Sequence, residues 1–309
     1  MQFGMLYEME TPRPWNKLSE YNVYHEALAQ IELADKVGFD YVWEVEHHFL
    51  EEYSHSPAPE VFYGAVSQRT KNIRLAHGVR LLPHRFNHPI KVAEQAAVLD
   101  ILSNGHLVIG VGEGSTKLDF DALGLPFDER RKMVVDGVVA LRSLLSQKGV
   151  SHHGPYYSFD NVTVSPRSIQ RPCPPIWLSS WGSPVGLRRV ARLGDGWVSS
   201  AWHATPEDFN DAWQILSTAL GDQGRDPVTF PNAVNTMFMY VDEDGDRARQ
   251  VAVPIIEAAT GTPFDGDSGH FIVGDYAECR ALTMIPTTRP NVAPTAIEGM
   301  KMPAGTLAP

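Results

Sequence analysis

The feature that most constrains this chain is a regular alternation of short β-rich runs with segments of helical period. The runs lie at Phe3 to Tyr7, Tyr41 to Val45, Ile73 to Val79, Leu107 to Val111, Ile176 to Ser179, Trp197 to Ser200 and Val234 to Val241. Between and after them, the spacing of apolar residues predicts helices over 20–37, 59–70, 88–102, 128–147, 184–193, 206–220 and 246–258. The first of these carries Tyr24, Leu28, Ile31, Leu33 and Val37 on helical spacing and is closed by Gly38. Asp128, Ser183 and Thr205-Pro206 are start signals for later ones. Strands separated by helices return by crossovers and pair in parallel, so the expected fold is α/β, either a closed (β/α)8 barrel or an open doubly wound sheet.

Two observations favour the barrel, of the TIM type. No Gly-x-Gly-x-x-Gly follows the first strand, where an open dinucleotide-binding sheet would carry it, and polar residues recur after several strands instead of at one switch point. Glu46-His47-His48-Phe49 follows directly on the apolar run Tyr41-Val42-Trp43, which sets two imidazoles and a carboxylate at a strand end, where barrel enzymes keep their chemistry. One excursion breaks the rhythm between 149 and 175, with Gly149, Gly154, Pro155, Tyr156, Tyr157, Phe159, Pro166, Pro172, Pro174 and Pro175, and reads as a hairpin or lid beside the mouth. The C-terminus is the second departure. After Phe271-Ile272-Val273-Gly274-Asp275 a helix and an eighth strand are expected, yet the chain turns rich in Pro, Gly and Ala, leaving Ala281 to Ile285 as a poor substitute strand or an open seam. The expected organisation is one barrel domain over 1–285 and a disordered Pro-rich tail over 286–309.

Composition narrows the partners. A net charge of -11 without any basic run argues against nucleic acid or an anionic membrane surface and favours a small-molecule ligand. Only Cys173 and Cys279 are present, too few for a disulfide framework. Glu8 and Glu10 interrupt any signal-peptide core, and no apolar run is long enough to cross a bilayer, so the expected location is cytoplasmic.

Taken together, Phe39-Asp40-Tyr41-Val42-Trp43 leading into Glu46-His47-His48-Phe49, Arg80-Leu81-Leu82-Pro83, His88-Pro89 with Ala93-Glu94-Gln95, and Ile109-Gly110-Val111-Gly112 resemble the bacterial-luciferase-like flavin monooxygenases. The order and spacing match from residue 1 to about 280. The resemblance implies a (β/α)8 barrel with an insertion, binding FMN or, in some branches, the deazaflavin F420. It implies a monooxygenase that receives reduced FMN from a separate flavin reductase and oxygenates an apolar organic substrate. Association as a homodimer is a further implication.

The resemblance also implies site residues. His47 takes the position of the proton-transfer histidine near the reactive edge of the flavin; an imidazole suits that task because its ordinary pKa lies near neutrality. Without the resemblance, a histidine capping the strand end is an equal reading. His48, its neighbour, is expected to turn to the opposite side and to act as a support. Gly78-Val79 matches the pair joined by a non-prolyl cis peptide against the flavin ring, where a strand-end glycine serving a bulge is the bland alternative. Ser179-Ser180-Trp181-Gly182-Ser183 matches the phosphate end, with Ser180, Trp181, Gly182 and Ser183 as cofactor residues; serine-rich N-caps also occur without ligands. Gly112-Glu113 matches the turn after strand four, and here the chain departs from the family. Glu113 stands where the family carries an arginine beside the phosphate. Like charges about 4 Å apart repel by roughly 4 kcal/mol at an effective dielectric of 20, so Glu113 must face elsewhere or pair with a base, and Arg85, Arg130 and Arg131 are candidates to restore the missing positive charge. This departure leaves an F420-dependent reductase or dehydrogenase open.

Other readings are weaker. A metal-dependent hydrolase would recruit Glu46, His47, His84 and His88, but adjacent histidines on a strand do not chelate one ion easily, and no metal site is expected. A glycosidase would pair Glu46 with Glu113. A flavin-binding protein without turnover is the alternative from outside the enzymes. Phe3, Leu6, Tyr7, Phe49, Tyr53 and Trp202 are candidates for an apolar pocket.

Overall fold

A computed structural model describes residues 2–200, 206–235, 238–260, 263–264 and 271–283. In chain order the elements are β1 (Gly4–Tyr7), α1 (Ser19–Val37), β2 (Tyr41–Glu44), α2 (Pro59–Val66), β3 (Arg74–His77), β4 (Arg80–Leu81), α3 (Pro89–Leu102), β5 (Leu107–Gly112) and α4 (Lys117–Leu123). A short 3-10 turn (Phe127–Glu129) then leads into α5 (Arg130–Ser146), β6 (Val150–His153), β7 (Ser158–Val162), β8 (Ile176–Ser179), α6 (Pro184–Leu193), β9 (Gly196–Ser200) and α7 (Pro206–Gly221). The chain continues through β10 (Asn232–Asn235), β11 (Phe238–Val241), α8 (Gly245–Thr260), β12 (Phe271–Gly274) and α9 (Tyr276–Thr283).

The main sheet runs β1-β2-β3-β5-β8-β9-β10, every ladder parallel, with β4 as a two-residue extension on β5. This is an α/β barrel, the one of the two folds allowed by the alternation that the absent Gly-x-Gly-x-x-Gly and the scattered polar strand ends favour. Local chemistry sets its boundaries. Gly38 ends α1 at φ 93°, a left-handed conformation that glycine adopts without a Cβ clash, and its N–H bonds Ala34 O at 3.1 Å. Ser183 starts α6 by accepting from Gly186 N at 3.2 Å, with Pro184 in the first turn.

Two packed layers lie on the two faces of the sheet. Ile31, Leu75, Ile109, Leu141 and Leu187, all fully buried, belong to one cluster between sheet and helices. Inside the sheet, Trp43, Ala76, Val108 and Trp177 form a second cluster, with the two indoles 5.5 Å apart. The edge where the strands begin is closed by structural carboxylates: Asp35 accepts from Asn72 N and Ile73 N at 2.7 Å, and Asp195 from Ile176 N at 2.9 Å. The edge where the strands end is therefore the one free for chemistry.

The excursion between β6 and β7 is an antiparallel hairpin, and it is pinned rather than free to swing. Asp136 of α5 accepts from Tyr156 N and Tyr157 N at 2.9 and 3.1 Å and contacts His152 Nε2 at 2.8 Å, while Tyr157 OH donates to Leu82 O at 2.5 Å. At the other end, the run Val234 to Val241 is divided: β10 pairs back to β9, whereas β11 pairs forward to β12. Phe271–Gly274 thus supplies the parallel partner in the atypical eighth unit, and Ala281 does not serve as a substitute strand, because it lies in α9. Asp275 nucleates that helix by accepting from Ala277 N and Glu278 N at 2.8 and 2.9 Å. Among the described residues no ladder joins β12 to β1, so the barrel is nearly closed with a seam there. The tail over 286–309 lies outside the described residues.

Candidate active site

The ends of β1, β2, β3, β5 and β8 bring Glu8, Glu46, His47, Gly78, Val79, Gly112, Glu113 and Ser180 to one edge of the sheet. At its centre, the Gly78-Val79 peptide is cis, as the family resemblance implies. Gly112 faces that pair: a Cβ added there would meet Val79 Cγ2 at 2.3 Å and Ser179 Oγ at 3.0 Å. Gly110 lies even closer, with its would-be Cβ 1.8 Å from His77 O. Strand β5 carries glycines because β3 and the turn after it press against its backbone.

His47 and His48 diverge. His47 Nε2 lies 3.6 Å from Glu8 Oε2, and its ring stands edge-on to Tyr53 with centroids 5.9 Å apart. Burial, then the neighbouring His48 charge, pushes the His47 pKa down to about 4, so the imidazole is neutral at neutral pH. His48 instead turns to Glu46, with Nε2 3.3 Å from Oε1, and packs against Phe49 and Phe86. Phe49 itself is 56% exposed at the rim and holds φ 62°, a strained conformation for a non-glycine residue.

Glu46 anchors the turn between β2 and β4. It accepts from Leu81 N at 2.8 Å and from Asn87 Nδ2 at 2.8 and 3.0 Å, and Arg80 Nε lies 3.5 Å away. Burial alone would raise its pKa, but the contacts with His48, Arg80, Leu81 and Asn87 hold it below the usual carboxylate range. Arg80 is buried and bonds Glu60, Asn87 Oδ1 at 2.7 Å and Gln95 Oε1 at 3.1 Å. Glu46 is thus a fixed structural anion. His88 is committed elsewhere, as the cap of α3 through Ile90 N, so the four residues of the hydrolase reading do not converge.

Glu113 meets three arginines. Arg131 Nε donates to Oε1 at 3.0 Å, Arg189 Nη2 to Oε2 at 3.1 Å, and Arg130 Nε lies 3.9 Å from Oε1. Arg130 and Arg131, two of the candidates for the missing positive charge, thus lie beside Glu113, and Arg85, the third, does not. It donates to Leu123 O and Gly124 O, capping the end of α4. Arg189, from α6, was not legible, because its partner lies 76 positions away. Buried donors remain open here: Arg130 Nε and Arg189 Nε beside this carboxylate, and Ser180 Oγ near Gly186 at the start of α6, have no hydrogen-bond acceptor among the described residues. Three cations on one anion, flanked by unpaired donors and the N-terminus of α6, suit an incoming phosphate. Trp181, 69% exposed, and Gly182, at φ 93°, form the turn between them and the Ser183 cap.

Of the candidate pocket residues, Tyr53 reaches His47 and Phe49 the rim, whereas Leu6 packs inside the barrel. Tyr7 faces the helical layer and donates to Gln30 Oε1 at 3.0 Å; Trp202 lies outside the described residues. The sequence reading missed Glu44, a buried β2 carboxylate 2.8 Å from Ser56 Oγ, whose pKa burial raises to about 8.

The family model described as luciferase-like monooxygenase matches residues 1–282. The oxygenase component of a flavin-dependent trigonelline monooxygenase from Acinetobacter baylyi is 30% identical over 183 residues, 58% of this chain and 49% of that protein. An F420-dependent hydroxymycolic acid dehydrogenase from Mycobacterium tuberculosis is 30% identical over 229 residues, 72% of this chain and 61% of its own. The crystal structure of monooxygenase RslO1 from Streptomyces bottropensis superposes with a TM-score of 0.83 at 31% identity, covering 92% of this chain and 88% of that one. The chain spans 49% and 61% of the lengths of the two curated relatives.

Proposed function

Because the chain belongs to the luciferase-like monooxygenase family, we propose that it is a flavin-dependent monooxygenase using reduced FMN and dioxygen on an apolar organic substrate. The observation that carries the reading is the layout of one sheet edge. A cluster of three arginines around Glu113 and the start of α6 lies at one end, the glycine-lined face of Gly78, Val79 and Gly112 in the middle, and the neutral imidazole of His47 beyond it. Bound FMN would supply dioxygen activation. The residues of the chain do the rest: Arg130, Arg131, Arg189, Ser180, Trp181, Gly182 and Ser183 hold the phosphate end, with Glu113 holding the guanidiniums in place. Gly78, Val79 and Gly112 let the ring approach the backbone, and His47 moves a proton at the reacting edge.

The proposal includes a small-molecule substrate and a cytoplasmic location; among the described residues no helix is long and apolar enough to cross a membrane. It also includes a separate flavin reductase as partner, which the name of the trigonelline relative, an oxygenase component, supports. Exposed Val61, Val98, Ile101 and Leu102 on α2 and α3 are compatible with a homodimer.

The F420-dependent mycobacterial relative favours a second reading: hydride transfer with F420 on the same barrel. Anaerobic titration with reduced FMN and with F420 tests both. Tight binding of reduced FMN, with oxygenated product formed on admitting air, supports the first; binding of F420 alone replaces it with the second. A preparation that binds flavin without turning over any substrate would leave only a flavin-binding protein.

A further inference from the structure

The loop after β2 folds back over the exit of β1. His47 N donates to Ser56 O at 3.0 Å, His55 N to Met9 O at 3.1 Å and Thr11 N to Glu52 O at 2.9 Å. Met9, 1% exposed, closes the other side of this crossing at φ 58°, a conformation that residues other than glycine adopt rarely. The crossing sets the Glu8 carboxylate against His47. Glu8 Oε2 lies 3.6 Å from His47 Nε2, and Oε1 accepts from Tyr53 OH at 3.4 Å. Neither Glu8 Oε2 nor His47 Nδ1 has a hydrogen-bond partner among the described residues. The other charged groups that face the pair are Glu10 from the β1 side and Glu46 and His48 from the β2 side.

We propose that Glu8 is the proton partner of His47, a proton passing between carboxyl Oε2 and imidazole Nε2 when the 3.6 Å gap between them closes to hydrogen-bond distance. Glu8 is a positioning residue in this scheme, acting through the imidazole, and the inference rests on His47 being the proton-transfer group. A fixed ion pair is the competing arrangement, and the environment opposes it. Burial first, then the charge of Glu10, pushes Glu8 up to about 8, while burial pushes His47 down to about 4. Around neutrality the proton therefore rests on the carboxyl. In the transfer, the Glu8 O–H bond breaks as the Nε2–H bond forms. The imidazolium then gives a proton to the oxygen that gains electron density in the reaction, which leaves a neutral imidazole and a carboxylate. Solvent returns a proton to Glu8. Run in reverse, the pair takes a proton from a substrate hydroxyl.

Two measurements on the full chain test this. In an NMR titration of the cofactor-free protein, with labelled histidine nitrogens and glutamate carboxyl carbons, His47 should remain a neutral imidazole from pH 6 upward. Its nitrogen shifts should follow the Glu8 carboxyl in one step near pH 8. Histidine shifts that ignore the Glu8 titration, or an imidazolium at pH 7, overturn the proposal. In turnover, Glu8→Gln should lower kcat about tenfold or more. It should also erase the corresponding limb of the pH profile, with cofactor affinity within about twofold of the parent; Glu8→Asp should recover part of the rate. A Glu8→Gln protein with the parental pH profile sinks the idea. Should Glu8→Gln fail to fold, the parental titration and Glu8→Asp still decide. If neither reduced FMN nor F420 binds, the proposed function fails separately, and the NMR titration still answers for the pair.

Discussion

Arg189 and Glu113, 76 positions apart in the chain, meet across 3.1 Å where β5 ends beside α6. Because Arg130 and Arg131 approach the same carboxylate, the cluster carries three positive charges against one negative, a surplus of two. On the proposed function, an acidic residue at this position would not repel the phosphate but would hold together the guanidiniums that attract it. We expect Arg189→Ala to weaken FMN binding about tenfold or more, since a charge-assisted hydrogen bond contributes roughly 1.5 to 3 kcal/mol. Riboflavin, which lacks the phosphate, should bind the variant and the parent alike. Comparable losses for FMN and riboflavin in a fluorescence titration would move the phosphate to another part of the edge.

His47→Ala should lower turnover by about 10²- to 10⁴-fold, the usual contribution of a positioned acid or base, with melting temperature and cofactor affinity little changed. His48→Ala should show the reverse, since its imidazole supports the buried Glu46 and the Phe86 contact. Steady-state kinetics beside thermal melts would expose the opposite pattern, which would mean that the wrong imidazole has been assigned to the reacting edge.

Most of the barrel was legible because strands and helices differ in period, and because Gly38, Ser183 and Pro184 mark their own boundaries. The divergence of His47 and His48 was legible too. What escaped was short or non-local. Helix α4 spans Lys117–Leu123, too few residues to display a helical period, although it buries Asp119 and Phe120. Arg189 looked like any surface residue of α6, since nothing along the chain points to a partner on β5. Glu8 read only as a charge that breaks an apolar N-terminus, and Glu44 as a strand residue. Their roles depend on a loop folding back over β1, which no spacing rule encodes. Arg85 failed for a related reason: proximity in sequence to the site does not stop a guanidinium from capping a nearby helix end.

The Glu46–Arg80 pair should be a weak point of the fold. Glu46→Ala leaves Arg80, Leu81 N and Asn87 Nδ2 without their shared acceptor in a buried site. Removing one member of a buried ion pair typically costs about 3 to 5 kcal/mol. Glu46→Gln keeps one acceptor oxygen and should cost less. Urea unfolding at neutral pH measures both; a loss of under about 1 kcal/mol for Glu46→Ala would show that the network adds little to stability.

Glu44 offers a test of sign. Its pKa is raised from 4.5 to about 8, chiefly by burial, against the hydrogen bond from Ser56 and the charge of Arg80. A carboxyl whose pKa is higher folded than unfolded binds its proton more tightly in the native state. Its stabilising contribution is complete below the unfolded value and is lost as pH rises from about 4.5 through 8. Glu44→Gln, which keeps the shape and an acceptor for Ser56, removes that dependence. The variant should match the parent within a degree or so of Tm at pH 5 and exceed it by several degrees at pH 8.5, about 4 to 8 °C per kcal/mol for small domains and less for one of this size. His47 acts at the opposite end of the scale: depressed to about 4, it gives stability that is present above 6.5 and lost as pH falls toward 4, and Glu44→Gln leaves that limb in place. Melting curves across pH 4 to 9 therefore separate the two groups, and a Glu44→Gln advantage that grows toward acid instead of base would mean the carboxyl is ionised in the native barrel.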